Sequence, residues 1–208
     1  MHGTSFSIKA PFSSTFEMKY RFPPLAASAI VALSPLLAMA AWKIEPTHTN
    51  VTFEVDHLGL TKTPGQFRKF SAEVFLDEKE IEKSRVNFTV DANSIDTLVS
   101  VRDSELRRED WFDAERHPNI TFVSKTVKRT DDGSVVISGE LTVRGKTLPV
   151  DFNGRLTDVI NNPFLKIPSI GLVATARIKR SDFGMTKFLP AVADEVELRL
   201  QTELSKYP

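Results

Sequence analysis

Residues 102 to 122, "RDSELRREDWFDAERHPNITF", gather four arginines, six carboxylates and one histidine. His117 beside Asp113, Glu115 and Arg116 is a grouping that general acid-base chemistry would use, since proton transfer needs a positioned titrating side chain. Arg102 and Arg107 offer a second chemistry, because a guanidinium fork suits a phosphate or carboxylate head group. The simpler reading is a solvated face, as mixed charge on short helices usually is; Arg102 or Arg107 paired with Asp103 would then only pin the segment. The sequence contains no Gly-x-Ser-x-Gly elbow, no His-Glu-x-x-His pair and no phosphate-cradling glycine loop, so no catalytic residue is assigned.

The other histidines are judged by strand parity. His48 and His57 are an odd number of residues apart, so on one unbroken strand they face opposite sides and cannot share a metal. No metal site is expected. His57 falls on the same face as Val51, Phe53 and Val55, where it reads as a hydrogen-bonded rim histidine or as a polar group that meets a ligand head.

The elements that would position these residues are strands. Val51, Phe53 and Val55 alternate with Thr52, Glu54 and Asp56. Phe70, Ala72, Val74 and Leu76 alternate likewise, with Phe75 the misfit on the polar side. The period of two returns at Val86, Phe88 and Val90, at Leu172 to Ile178, and at Val196, Leu198 and Leu200, so one face of the sheet is dry and the other wet. Turn signals stand at Thr63-Pro64-Gly65, Asp131-Asp132-Gly133, Arg144-Gly145-Lys146 and Asn161-Asn162-Pro163. Strands joined this way form an antiparallel meander that must close into a barrel or stack into a sandwich to hide its edges.

The charged segment interrupts this pattern. Ser100 and Asp103 have capping-box spacing, and Asp103 to Arg107 is an i,i+4 pair, which predicts a helix over about 101–108. Asp110 can cap a second turn, and Pro118 turns the chain extended before Ile120 and Phe122. The result is a short helical insert near residues 101–116, a pair of short helices between two strands. Its few large apolar residues, Leu106, Trp111 and Phe112, suit a lid over a barrel mouth. Alanine at both Trp111 and Phe112 is expected to loosen a bound ligand more than it lowers the melting temperature.

Residues 1–40 stand apart. "LAASAIVALSPLLAMA" is apolar, and Ala38-Met39-Ala40 fits the pattern a signal peptidase accepts before Ala41, with Met18 as an alternative start. The run is short for a membrane span and Pro35 interrupts it. Cleavage removes three of the 27 basic residues and one of the 27 acidic ones, leaving a net charge of about −2. A chain so balanced has no electrostatic case for nucleic acid. It has no cysteine either, so an exported product must rely on its core rather than on disulfides. Residues 41–208 read as one domain, and nothing in them fixes an oligomeric state.

Taken in order, "HTNVTFEVDHLGL" at 48–60, "GQFRKFSAEVFLD" at 65–77, "SIDT" at 94–97, the charged segment to Ser124, "GELTVRGKTLPV" at 139–150 and "IKRSDFGM" at 178–185 resemble the YceI family of exported proteins. The resemblance implies an all-β, lipocalin-like antiparallel barrel of about eight strands, exported to the periplasm, whose interior holds an isoprenoid or similar lipid. No cofactor is required, although an isoprenoid quinone is among the lipids such an interior would take. A carrier that hands quinone to a membrane protein partner, or an enzyme acting on a lipid, are the alternatives. The candidate ligand contacts are Phe53, Val55, His57, Phe88, Val90, Leu106, Trp111, Phe112, Ile120 and Phe122. Arg102 and Arg107 are the candidates for the head group. An isoprene unit buries about four methylene equivalents at about 0.8 kcal/mol each. Three units then approach the roughly 8 kcal/mol of a micromolar complex, before ordering costs.

Overall fold

The computed structural model describes residues 41–208. The expected signal segment, residues 1–40, lies outside the described residues. Twelve strand segments occur: β1 (Ala41–Ile44), β2 (Asn50–His57), β3 (Thr61–Phe67), β4 (Phe70–Phe75), β5 (Arg85–Asp91), β6 (Ile95–Asp96), β7 (Asn119–Arg129), β8 (Val135–Val143), β9 (Lys146–Leu156), β10 (Ile160–Asn161), β11 (Pro168–Lys179) and β12 (Val192–Tyr207), with one helix, α1 (Ser100–Leu106), between β6 and β7.

They assemble into eight staves: three are bent and counted in two pieces, and β10 is a two-residue strand paired only with the start of β11. β1 and β2 lie end to end along the same edge of β12, where Ala41 pairs with Tyr207 and His57 with Val192. β3 and β4 follow as the next stave, and β6 continues β5 as the third. From there β7, β8, β9, β11 and β12 each pair antiparallel with their predecessor. The pairing of β12 with both β11 and the first stave closes the ring, so no main barrel strand is left with a free edge. Of the barrel and the sandwich that the alternation allowed, this is the antiparallel barrel that the family resemblance implied, built as an up-and-down meander.

Alternation also explains which side chains point inward. In β9, Leu148, Val150, Phe152, Gly154 and Leu156 are half-buried while the residues between them are exposed. Phe75 points outward and is 41% exposed, the misfit its position predicts.

Several local expectations are corrected. Thr63-Pro64-Gly65 is not a turn but the centre of β3, paired with Val55, Glu54 and Phe53. Gly65 is there because the Phe53 ring lies over it, so closely that an added Cβ would overlap the ring. The turn falls instead at Leu58-Gly59, both with positive φ, closed by Leu60 N–H donating to the His57 carbonyl at 3.0 Å. The Arg144-Gly145 turn is as expected, with φ of 51° and 72°.

The insert has one helix rather than two. Beyond α1 the chain folds into hydrogen-bonded turns through Trp111, Asp113 and Arg116. Ser100 is the first helical residue and Val99 the N-cap, which has no side chain to offer. Asp103 instead accepts from Thr97 N–H at 2.8 Å and Thr97 Oγ1–H at 2.6 Å, tying the helix to the end of β6. Arg107 does not meet Asp103, since its guanidinium donates to the Asn93 and Ile95 carbonyls at 2.9 Å each. Asp110 caps nothing and receives Lys187 Nζ at 2.9 Å. In each case a tertiary partner won over the local one that sequence spacing suggested.

Candidate functional site

The inner faces of the staves do not fill the barrel. They enclose a cavity of about 740 Å³, within the range typical of small-ligand sites. It runs from His57, Arg102 and Phe188 at the α1 end to Ile44, Ile81 and Leu204 at the other. Along β12 the lining extends from Val192 to Leu204, twelve residue steps. At about 3.3 Å per residue and the usual barrel tilt, that is roughly 30 Å along the barrel axis. A long, narrow, apolar space fits an extended chain better than a compact polar substrate.

Strand parity placed most of the lining. Phe53, Val55 and His57 on β2, Phe88 and Val90 on β5, and Ile120 and Phe122 on β7 all line the cavity. Leu106 of α1 and Trp111 and Phe112 of the following turns line it from the α1 end. Arg102 does so too, bracing itself on Thr97 through Nε to Oγ1 and Nη2 to the carbonyl, both 2.8 Å, with no carboxylate paired to it. Arg107 is the exception: it is not part of the lining, because backbone carbonyls take its guanidinium.

Several lining residues escaped the sequence reading. Ala72 and Ala174 sit at inward positions where strands otherwise carry Phe, Val or Leu, and their small size leaves room. A run of apolar positions broken by alanine was the available signal. Arg180, Met185 and Phe188 belong to the connection between β11 and β12, where period-two reasoning stops.

His57 ends β2 at the cavity mouth, exposed, and no carboxylate lies within ion-pair distance of it among the described residues. His48 occupies a separate turn, 3.8 Å from Glu203. His117 packs on Gly145, and its Nε2 is 3.8 Å from an Asp113 oxygen that Arg116 Nε approaches to 2.9 Å. Among the described residues no group of three His, Cys, Asp or Glu side chains is placed to hold a metal.

Trp111 and Phe112 do not grip alike. Phe112 packs edge-on against Phe67 with centroids 5.6 Å apart and touches both core clusters of the α1 end. Trp111 meets Phe188 at 6.2 Å and lies under the Arg180 guanidinium at 5.0 Å. Removing Phe112 therefore strikes the core, and the double alanine variant would mix stability with ligand retention. The rim itself is apolar: Leu58, Leu98 and Phe188 are 58%, 80% and 59% exposed, and all three hold a positive φ that bulky residues avoid.

One ionic clasp joins the two segments of this lid. Lys187 Nζ reaches Glu105 Oε1 at 2.6 Å and Asp110 Oδ2 at 2.9 Å. The hydrogen bond from Lys187 holds the carboxyl pKa of each acid below its ordinary value, and Glu105 in turn raises that of Lys187. Lowered carboxyl pKa values mean that the clasp contributes fully above the usual carboxylate range and is lost as pH falls through the lowered values. Release of a bound fluorescent fatty probe should therefore quicken below about pH 4. Lys187→Ala should quicken it already at neutral pH and flatten the acid step. A release rate indifferent to both would show that the clasp does not hold the lid.

Residues 42–204 match the model of the YceI-like domain. A UPF0312 protein of Yersinia enterocolitica is 35% identical over 166 residues, 79% of this chain and 85% of that protein. One from Vibrio parahaemolyticus is 32% identical over 176 residues, 83% of this chain and 93% of that protein. Among solved structures, Burkholderia cenocepacia BcnA is similar with a TM-score of 0.70 at 26% identity, covering 77% of this chain and 98% of its own. A polyisoprenoid binding domain from Saccharophagus degradans, implicated in plant cell wall breakdown, shares the fold at a TM-score of 0.59 and 15% identity, covering 80% of this chain and 99% of its own.

Proposed function

The chain belongs to the YceI-like domain family, and from that premise we propose that it is an exported periplasmic carrier that holds one isoprenoid or similar lipid chain inside its barrel for storage or transport. The observation that carries this reading is the continuous apolar cavity of about 740 Å³ along the barrel axis. Such a space gains free energy from each buried methylene at about 0.8 kcal/mol and needs little polar chemistry to do so. The fold shared with a domain described as polyisoprenoid-binding adds support.

The α1 end is the natural entrance. Its rim is apolar and its lid is fastened to the barrel by hydrogen bonds and one ionic clasp rather than by strand pairing. Arg102, braced on Thr97 and free of carboxylates, is the head-group candidate at this rim. Export rests on the apolar run at 25–40 and the Ala38-Met39-Ala40 pattern that ends it.

Native mass spectrometry of the protein recovered from the periplasm of its own host tests the whole reading. The expected species begins at Ala41 and carries one lipid that solvent extraction releases. A protein recovered without lipid that also fails to take up polyprenols or quinones from vesicles would refute it.

A further inference from the structure

Beneath the lid lies a charge that an apolar carrier does not need. Arg180 is 3% exposed, yet its side chain is part of the cavity lining. Nε donates to the Ala193 carbonyl at 2.9 Å, Nη1 to Met185 at 2.7 Å and Nη2 to Val192 at 2.8 Å. A guanidinium has five N–H donors, so these three bonds leave two without a partner among the described residues. No carboxylate among the described residues closes an ion pair with it: Asp194 acts on its charge only from a distance, its oxygens accepting from Ser181 N–H at 2.9 Å and Oγ–H at 2.7 Å. Burial accordingly pulls the Arg180 pKa down from its usual value, with Asp194 opposing.

Stacked under this guanidinium is Trp111, 7% exposed, also in the lining, whose indole N–H has no acceptor among the described residues. Native proteins leave few buried donors unpaired, and each unpaired one costs about 1–3 kcal/mol. Pinning a loop to three carbonyls requires donors but not a buried cation, so holding the β11–β12 connection does not account for the charge.

We propose that Arg180 and Trp111 form a head-group station inside the α1 end of the cavity. It receives an acceptor oxygen on the bound chain, a carbonyl or carboxylate with no proton to give, and so orients the chain with its head under the lid and its tail toward Ile81. This rests on the carrier reading and narrows it: the cargo is an oxygen-tipped chain rather than a plain hydrocarbon. Arg102, further out at the rim, is not part of the station.

Three fifteen-carbon tails separate the possibilities: farnesene, farnesoic acid and a farnesyl-tailed benzoquinone, titrated into the mature protein. The wild type should bind the acid or the quinone about tenfold more tightly than farnesene, the size of one good buried hydrogen bond. Whichever wins identifies an anionic or a neutral head. Trp111→Phe keeps an aromatic ring and removes the N–H, so it should erase most of the affinity ratio between the oxygen-tipped chain and farnesene, whatever it does to farnesene itself; Arg180→Lys should do the same where it folds. The chain has two tryptophans, so in Trp42→Phe all emission comes from Trp111 and bound quinone should quench it. Equal affinity for the three tails, a preference that survives Trp111→Phe, or no quenching in Trp42→Phe would overturn the station and leave the carrier intact. Failure of all three tails to bind would overturn both.

Discussion

Ala72→Trp is expected to weaken binding of a farnesyl-length chain about 100-fold, equivalent to losing contact with roughly three or four methylenes, while the barrel continues to fold. Ala72 lies on β4 opposite Phe88 of β5 and faces the cavity between the inward side chains of Phe70 and Val74. An indole there occupies the middle of the space a chain would thread. It fills a void rather than forcing apart packed atoms, so the melting temperature should hold or rise. Glu73→Trp on the exposed face of the same strand is the matched control and should leave affinity unchanged. Fluorescence titration and thermal melts of the three proteins decide the matter. Unchanged affinity in Ala72→Trp would mean that the chain does not use the barrel interior.

Gly139→Ala should cost about 3 kcal/mol of stability, at the upper end for overpacking a core. Gly139 pairs with Ser124 just before the register shift between Ser124 and Thr126. A methyl group on it would overlap the Val123 carbonyl oxygen and sit 2.6 Å from Phe122 Cζ. The backbone oxygen cannot give way without breaking the ladder, and Phe122 is fixed edge-on against Phe152 at 5.0 Å. Gly65 makes the contrast. A methyl there meets only the tip of the Phe53 ring, which can swing toward the cavity. Gly65→Ala should therefore cost far less stability and show its effect mainly as a smaller binding space. Chemical denaturation of the two variants should separate them clearly. Equal losses would show that the Phe122 wall yields as easily as Phe53 does.

Much of the site was legible because a barrel wall is a regular object. Once Val51, Phe53 and Val55 set the parity of β2, His57 had to follow on the same face, and it does line the mouth. The same logic reached Phe88, Val90, Ile120 and Phe122. It failed at Pro64-Gly65, where turn-forming residues sit in mid-strand because an aromatic ring on the neighbouring strand needs the space that glycine leaves. It failed again at Arg107 and Asp103, whose sequence spacing suits a helical ion pair. Carbonyls of Asn93 and Ile95 and the hydroxyl and amide of Thr97, brought in by the bend after β5, offered better-fixed partners.

The sequence by itself determined the class of the fold, the face each strand turns inward and the apolar character of what it encloses, because side-chain alternation is local and survives any arrangement of strands. Whether that interior is solid or hollow was decided only by the tertiary structure. Cavity volume depends on how Ala72 and Ala174 fall among large neighbours on other staves, and on how far ring closure by β12 holds opposite walls apart. Tertiary structure alone also set the polar end of the cavity. Arg180 and Trp111 are far apart in sequence, and only the folding of the lid over the β11–β12 connection stacks one on the other.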